Sequence, residues 1–268
     1  MTGFQQQESK EKHLGQSCIL YDAQRFPQIT AEWFDPHYWA EQGQLIGGAP
    51  GRGTSCFIHT PAGEGVLRHY RRGGLIGRWI QDRYFWTGLA ATRAWQEFHL
   101  TAQLYQEGYA VPQPWAAQVV RQGCTYRADL LTQRLPHALP LADYLLQSKA
   151  TSDQQALCLR QAGQLIADFH QRGLNHVDLN PRNLLLDPER VHATQLAADG
   201  QPIYQRAASG LWLIDLDRCQ LGRLTPMQAK SNLQRLLRGL IKLDAIQAAN
   251  WFAQIEAGYR HRLAHKAT

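Results

Sequence analysis

The chain has 268 residues, 44% hydrophobic and 10% aromatic, with eight tryptophans, a composition that buries a core and excludes wholesale disorder. Lysine and arginine (28) outnumber aspartate and glutamate (22), giving a net charge of +6 and a pI near 9.2, which favours an anionic partner such as nucleic acid, phospholipid or a phosphorylated ligand. No uncharged apolar run reaches the roughly 18 residues of a spanning helix, and the polar start MTGFQQQESKEKHLGQS lacks the apolar segment of a secretory signal, so a cytoplasmic chain is expected. Cys18, Cys56, Cys124, Cys158 and Cys219 form no CxxC pair, so small buried thiols are expected rather than a zinc site or a disulfide framework.

In chain order, residues 46 to 70 read as two short strands around glycine-rich turns, GGAPGRGTSCF followed by EGVLRHY. From Thr92 to Glu107 the apolar positions Trp95, Phe98, Ala102 and Tyr105 step by three or four, which predicts a helix that Gly108 stops. Residues 116 to 120 and 126 to 135 read as strands, and 136 to 140 as a turning linker. Ser152 and Gln155 resemble a capping box, followed by the apolar stripe Leu157, Ala162, Leu165, Ile166 and Phe169, which ends at Gly173. The last part, 225 to 259, is predicted mostly helical, with Leu233, Leu236, Leu237, Leu240 and Ile241 on one face. This order predicts an α+β fold in two lobes, 1–135 and 136–268.

The chemistry concentrates in His176 to Asn183, HVDLNPRN, where an Asp and an Asn stand five positions apart. The stretch resembles the protein-kinase catalytic loop H-R-D-L-x-x-x-N. Phosphoryl transfer to a hydroxyl needs a carboxylate to orient that hydroxyl and accept its proton, which assigns Asp178. It also needs oxygen ligands for hard magnesium ions. Asn183 supplies one, and Asp215, after the apolar LWLI, supplies the second. Leu216 and Asp217 stand where kinases carry Phe and Gly, which speaks against in/out flipping of this segment. The extra length between the two carboxylates falls in the polar stretch 187–210. An Asp and Asn capping a turn is the bland alternative, weakened by the helix before them and the strand-end Asp after.

Upstream, Gly47, Gly48, Gly51 and Gly53 lie between strands, where backbone N–H groups can approach phosphates. The cation that should follow is not a lysine, since none occurs from His13 to Ser148; Arg68 in VLRHY takes the place. Glu97 on the next helix is its expected partner. Guanidinium is larger and forked, so its contacts differ from those of an ammonium. Arg68, Arg71, Arg72, Arg78 and Arg83 alternate with Tyr70, Trp79, Tyr84, Phe85 and Trp86, which suits an anionic membrane or nucleic acid and equally suits core aromatics beside solvated arginines.

Together VLRHYRRGGLIGR, RAWQEFHLTAQLYQEGYAVPQPWAA, HVDLNPRNLLLD and WLIDLDR resemble the bacterial 3-deoxy-D-manno-octulosonic acid (Kdo) kinases, relatives of the lipopolysaccharide core heptose kinases, over about residues 45 to 240. The resemblance implies a two-lobed protein-kinase-like fold with a reduced helical C-terminal lobe. It further implies ATP- and magnesium-dependent phosphorylation of the 4-hydroxyl of a Kdo residue on lipid A precursor, by a peripheral enzyme at the cytoplasmic face of a Gram-negative inner membrane. By the same resemblance Gln133, Arg134 and Leu135 fall at the adenine-binding hinge. No A-P-E motif or long activation segment follows Asp215, which disfavours a protein substrate. No nucleic-acid partner or obligate protein partner is expected. The alternatives are a heptose kinase, another Ser/Thr or small-molecule kinase, a catalytically dead binding module and a basic RNA-binding protein.

Overall fold

The polar start SKEKHL and the following SCILYD pair as an antiparallel hairpin, β1 (Ser9–Leu14) and β2 (Ser17–Asp22), turning at Gly15, whose φ of +61° suits glycine. The structure is a computed structural model and describes residues 8–48, 55–71, 82–147, 150–194 and 210–265. The chain divides into two compact units, Met1–Gln106 with Pro112–Pro136, and Glu107–Val111 with His137–Thr268.

In the first unit a short helix, α1 (Pro36–Glu41), precedes β3 (Leu45–Gly48), β4 (Ser55–Thr60), β5 (Gly63–His69) and β6 (Tyr84–Phe85). Then come α2 (Arg93–Gln106), β7 (Pro114–Gln122) and β8 (Thr125–Gln133). The strands join in one antiparallel sheet ordered β1-β2-β7-β8-β5-β4-β3, with β6 on β8. Helix α2 buries Ala94, Trp95, Phe98 and Ala102 in a cluster with Ala117, Val119, Ala128 and Leu130 of the sheet. A second cluster, with Phe26, Ile29, Phe34 and Trp39 from the segment after β2, gathers Ile58, Leu67, Trp115 and Leu131. Alternate residues of a strand point to opposite faces, so Leu130 and Leu131 fall in different clusters.

The second unit starts from β9 (Leu139–Pro140), α3 (Leu141–Gln147) and α4 (Ser152–Arg172). It continues with β10 (Leu174–Asn175), β11 (Leu184–Leu186), α5 (Pro188–Thr194), β12 (Leu211–Leu213), β13 (Gln220–Leu221), α6 (Pro226–Leu243) and α7 (Ala248–Ala264). The cap of α4 is Thr151, whose Oγ1 accepts from Gln154 N while Gln154 Oε1 accepts from Thr151 N, one residue before the expected Ser152–Gln155 pair. Gly173, at φ +93°, ends the helix, and any Cβ there would overlap the Gly222 carbonyl. Helices α4 and α7 approach through two glycines: a side chain at Gly163 would strike the Ile255 carbonyl, and one at Gly258 the Arg160 carbonyl. Buried Asp168 binds Arg262 at 2.7 Å, and His170 Nδ1 shares a 2.9 Å hydrogen bond with the Tyr259 hydroxyl.

Residues 46 to 70 hold three strands where two were expected, because the end of GGAPGRGTSCF begins a strand of its own, Ser55–Thr60, which turns into the next strand at Gly63, φ +110°. The thiol expectation holds for Cys18 and Cys158, whereas Cys56 and Cys219 are half-buried and Cys124 is exposed. No described helix is long and apolar enough to cross a membrane.

Candidate active site

In the second unit the loop between β10 and β11 is built by its own side chains. Leu179 N donates to His176 O at 3.3 Å and Asn183 N to Asn180 O at 3.0 Å, two successive tight turns. Asn180 Nδ2 (2.9 Å) and Asn183 Nδ2 (3.0 Å) both donate to the main-chain carbonyl of Asp178, while Asn180 Oδ1 accepts from Arg182 N. Pro181 O accepts from Ala142 N, and the Pro181 ring leaves no room for a side chain at Gly239 of α6. The Asp178 backbone is thus clasped while its carboxylate is 49% exposed, a geometry suited to meeting a substrate.

The strands bring the metal candidates to the same place. Leu184 of β11 pairs with Leu213 of β12, and Ile214 N donates to Asn183 O at 3.0 Å, which sets Asp215 beside Asn183 at the strand end. Asp215 has φ +60°, an uncommon backbone for a non-glycine residue that Asp tolerates better than most and that recurs at functional sites. The ring of buried His176 donates from Nε2 to Ile214 O at 3.0 Å, tying the loop to this strand end. Burial, the largest effect, pushes the His176 pKa down, while its main-chain partner and the Asp215 and Asp178 carboxylates pull the other way. His176 N in turn donates to Asn232 Oδ1 of α6 at 3.1 Å, and Asn232 Nδ2 donates to Asn175 Oδ1 at 3.0 Å.

In the first unit Arg68 on β5 ion-pairs with Glu97 on α2, as expected from their order. Tyr70 also donates to Glu97, and the Arg68 guanidinium lies 4.8 Å from the Tyr70 ring centroid. Burial first, and Glu97 second, hold the Tyr70 hydroxyl protonated by raising its pKa far above the usual value. Gly47 and Gly48 sit exposed on β3; a Cβ at Gly47 would meet nothing and one at Gly48 only an ordinary contact, so packing does not require glycine at either. Gly51 and Gly53 lie outside the described residues. Gln133 and Leu135 are half-buried; Gln133 N donates to Gln113 O at 2.8 Å and Arg134 N to Glu64 O at 2.9 Å.

The arginine-aromatic segment divides. Tyr70 and Tyr84 are core, so their rings are not free to meet a ligand; Trp86 is half-buried against that cluster and Phe85 is 72% exposed. Arg71 is exposed and Arg83 half-buried, while Arg72, Arg78 and Trp79 lie outside the described residues. Sequence reasoning missed Tyr70 as the third member of the Arg68–Glu97 group, although its i+2 spacing from Arg68 on a strand placed it on the same face. It also missed Arg235, on α6, whose Nη1 stands 3.4 Å from Asp178 Oδ1.

The fold, with its HVDLNPRN loop between short strands and its strand-end aspartate, defines a kinase of the protein-kinase-like class. The chain belongs to the lipopolysaccharide kinase (Kdo/WaaP) family, which it matches over residues 36–259. Among curated proteins it is similar to the 3-deoxy-D-manno-octulosonic acid kinase of Vibrio vulnificus (strain YJ016), with 34% identity over 256 residues, 93% of this chain and 98% of that one. The Vibrio cholerae enzyme of the same name is 33% identical over 249 residues, 92% and 96% of the two chains. That of Xanthomonas euvesicatoria pv. vesicatoria (strain 85-10) is 38% identical over 229 residues, 85% and 82% of the two chains.

Proposed function

We propose that this kinase transfers the γ-phosphate of ATP to the 4-hydroxyl of a Kdo residue on lipid A precursor, in lipopolysaccharide core biosynthesis. The names of relatives that align over 85 to 93% of the chain support Kdo as the acceptor sugar; the 4-hydroxyl and the lipid A precursor rest on the resemblance of the sequence to that family. The observation that carries phosphoryl transfer is the exposed Asp178 carboxylate, held by its clasped backbone beside Asn183 and Asp215.

Asp178 orients the acceptor hydroxyl and takes its proton as the oxygen bonds to the γ-phosphorus and the bond to the bridging oxygen breaks, releasing ADP. Asn183 and Asp215 offer oxygen donors suited to Mg2+, since the amide of Asn183 uses Nδ2 on Asp178 O and keeps Oδ1 for a ligand. Bound there, the ion supplies charge neutralisation for the phosphates. Arg68, held by Glu97, binds phosphate oxygens, and the N–H groups of Gly47 and Gly48 on β3, with those of Gly51 and Gly53 that follow in the sequence, serve to cover them. Gln133 and Leu135 receive the adenine; because the N–H groups of Gln133 and Arg134 already donate within the sheet, Leu135 is the N–H donor for the base. On this reading 1–135 is the nucleotide lobe and 136–268 the catalytic lobe. The enzyme works peripherally at the cytoplasmic face of the inner membrane.

The test is transfer from labelled ATP to Kdo-lipid A precursor, with a heptose-bearing acceptor as control. Label in the Kdo acceptor alone supports the proposal; label in the heptose acceptor alone replaces it with a heptose kinase.

A further inference from the structure

Resting on the Kdo reading, we propose that Arg235 binds the carboxylate of the acceptor sugar and so selects an acidic sugar over a neutral one. The acceptor is by its name an octulosonic acid, ionised at neutral pH. Its carboxyl is attached at C2 and the reacting hydroxyl at C4, separated only by the C3 methylene. A hydroxyl within hydrogen-bond reach of Asp178 therefore brings the carboxylate within about one sugar ring of the base. Arg235 stands in that radius, its Nη1 3.4 Å from Asp178 Oδ1.

Three features fit Arg235 for the task. Its guanidinium fork matches a carboxylate bidentately, which an ammonium does not. Its bond to Asp178 is long and both side chains are about half exposed (48% and 49%), so the pair is weak and a substrate carboxylate can displace it. Its position is fixed by a rigid element, since α6 is braced against the same loop by Asn232 on His176 N and by Gly239 against Pro181. Arg182, another cation of the loop region, makes its 3.4 Å pair with Asp143 and not with the base.

The experiment crosses two enzymes with two acceptors: wild type and Arg235→Ala, each with the Kdo acceptor and with its carboxyl methyl ester. Removing a charge-assisted contact should lower kcat/KM for the acid acceptor about 10- to 100-fold, mainly through KM. The wild type should lose a similar factor on the ester, and Arg235→Ala should lose nothing further on it. KM for ATP should be unchanged, and Arg235→Lys should recover part of the loss on the acid only. Equal losses by Arg235→Ala on acid and ester would overturn the inference, showing that Arg235 acts through Asp178. So would a wild type indifferent to esterification, which leaves the Kdo assignment standing. A wild type that transfers to neither acceptor removes the Kdo assignment itself, and this inference with it.

Discussion

Arg68 reaches Glu97 at Oε2, the same carboxylate oxygen that receives the Tyr70 hydroxyl. Glu97 is buried and Arg68 only partly so, which makes Glu97 the member that suffers if the group is broken. A guanidinium never deprotonates in this setting, so a sheet cation of this type stays charged at any pH at which the fold survives.

Arg68→Ala should lower turnover strongly and also destabilise the fold, since removing one partner of a buried ion pair costs about 3 to 5 kcal/mol, less here because Arg68 keeps some solvent contact. Arg68→Lys should restore part of the turnover without the fork. Urea unfolding alongside kinetics separates the two effects; wild-type kinetics in Arg68→Ala would mean that another arginine, such as Arg71, meets the phosphates.

Asp178→Ala should abolish transfer, by about 100- to 10,000-fold, while Mg-ATP affinity stays close to wild type, because the carboxylate acts on the acceptor. Single-turnover assays and nucleotide titration check both halves. Near-normal turnover would remove the catalytic assignment.

Asn183→Ala and Asp215→Ala should instead weaken magnesium-dependent ATP binding, each by deleting an oxygen ligand. Asn183→Ala also releases one of the two amides on the Asp178 carbonyl, so it should lose turnover beyond its loss of affinity. Isothermal titration with and without Mg2+ reads the affinity, and unchanged affinity in both variants would place the metal elsewhere.

His170 is held neutral by burial, its pKa lowered from 6.5 to about 4. Between those values the unfolded chain takes up a proton that the folded chain refuses, so stability falls as pH drops from about 6.5 to about 4, by up to about 3 kcal/mol. His170→Gln should flatten that part of the pH–stability profile measured by denaturant unfolding. An unchanged slope would show that His170 is not the group responsible.

Replacing Arg71, Arg72, Arg78 and Arg83 by Gln should weaken sedimentation with acidic vesicles while ATP affinity persists. Each basic residue near such a surface is worth on the order of 1 kcal/mol, and the effect should shrink at high salt as the Debye length shortens. Salt-insensitive, undiminished binding would assign membrane contact to another surface.

Much of this architecture was readable because it is periodic or spaced. The α2 and α4 stripes follow from Trp95, Phe98 and Ala102, and from Ala162, Leu165, Ile166 and Phe169, all but fully buried as their spacing demands, while Tyr105 and Leu157, at the ends of the two stripes, are half-buried. Asp178 and Asn183 were readable because their five-residue separation lies within one loop. Strand β1 was not, since SKEKHL is an edge strand with largely exposed residues and no apolar alternation to reveal it. Nor was Arg235, whose meeting with Asp178 spans 57 residues and depends on α6 docking against the loop.

The seating of α7 on α4 has a topological consequence. The Asp168–Arg262 contact joins positions 94 residues apart, and the closed segment contains His176, Asp178, Asn183, Asp215 and Arg235. Helix α4 can wind locally, but the glycine-to-carbonyl fit at Gly163 and Gly258 exists only once that long loop has closed, and long-range closure is slow. The order of assembly follows: the helix leading into the catalytic loop gains its final support late in folding, after the polypeptide of the active centre has been gathered between the two helices. Pulse-labelled amide exchange during refolding would show protection at α4 and α7 arriving together, with the loop between them trailing neither.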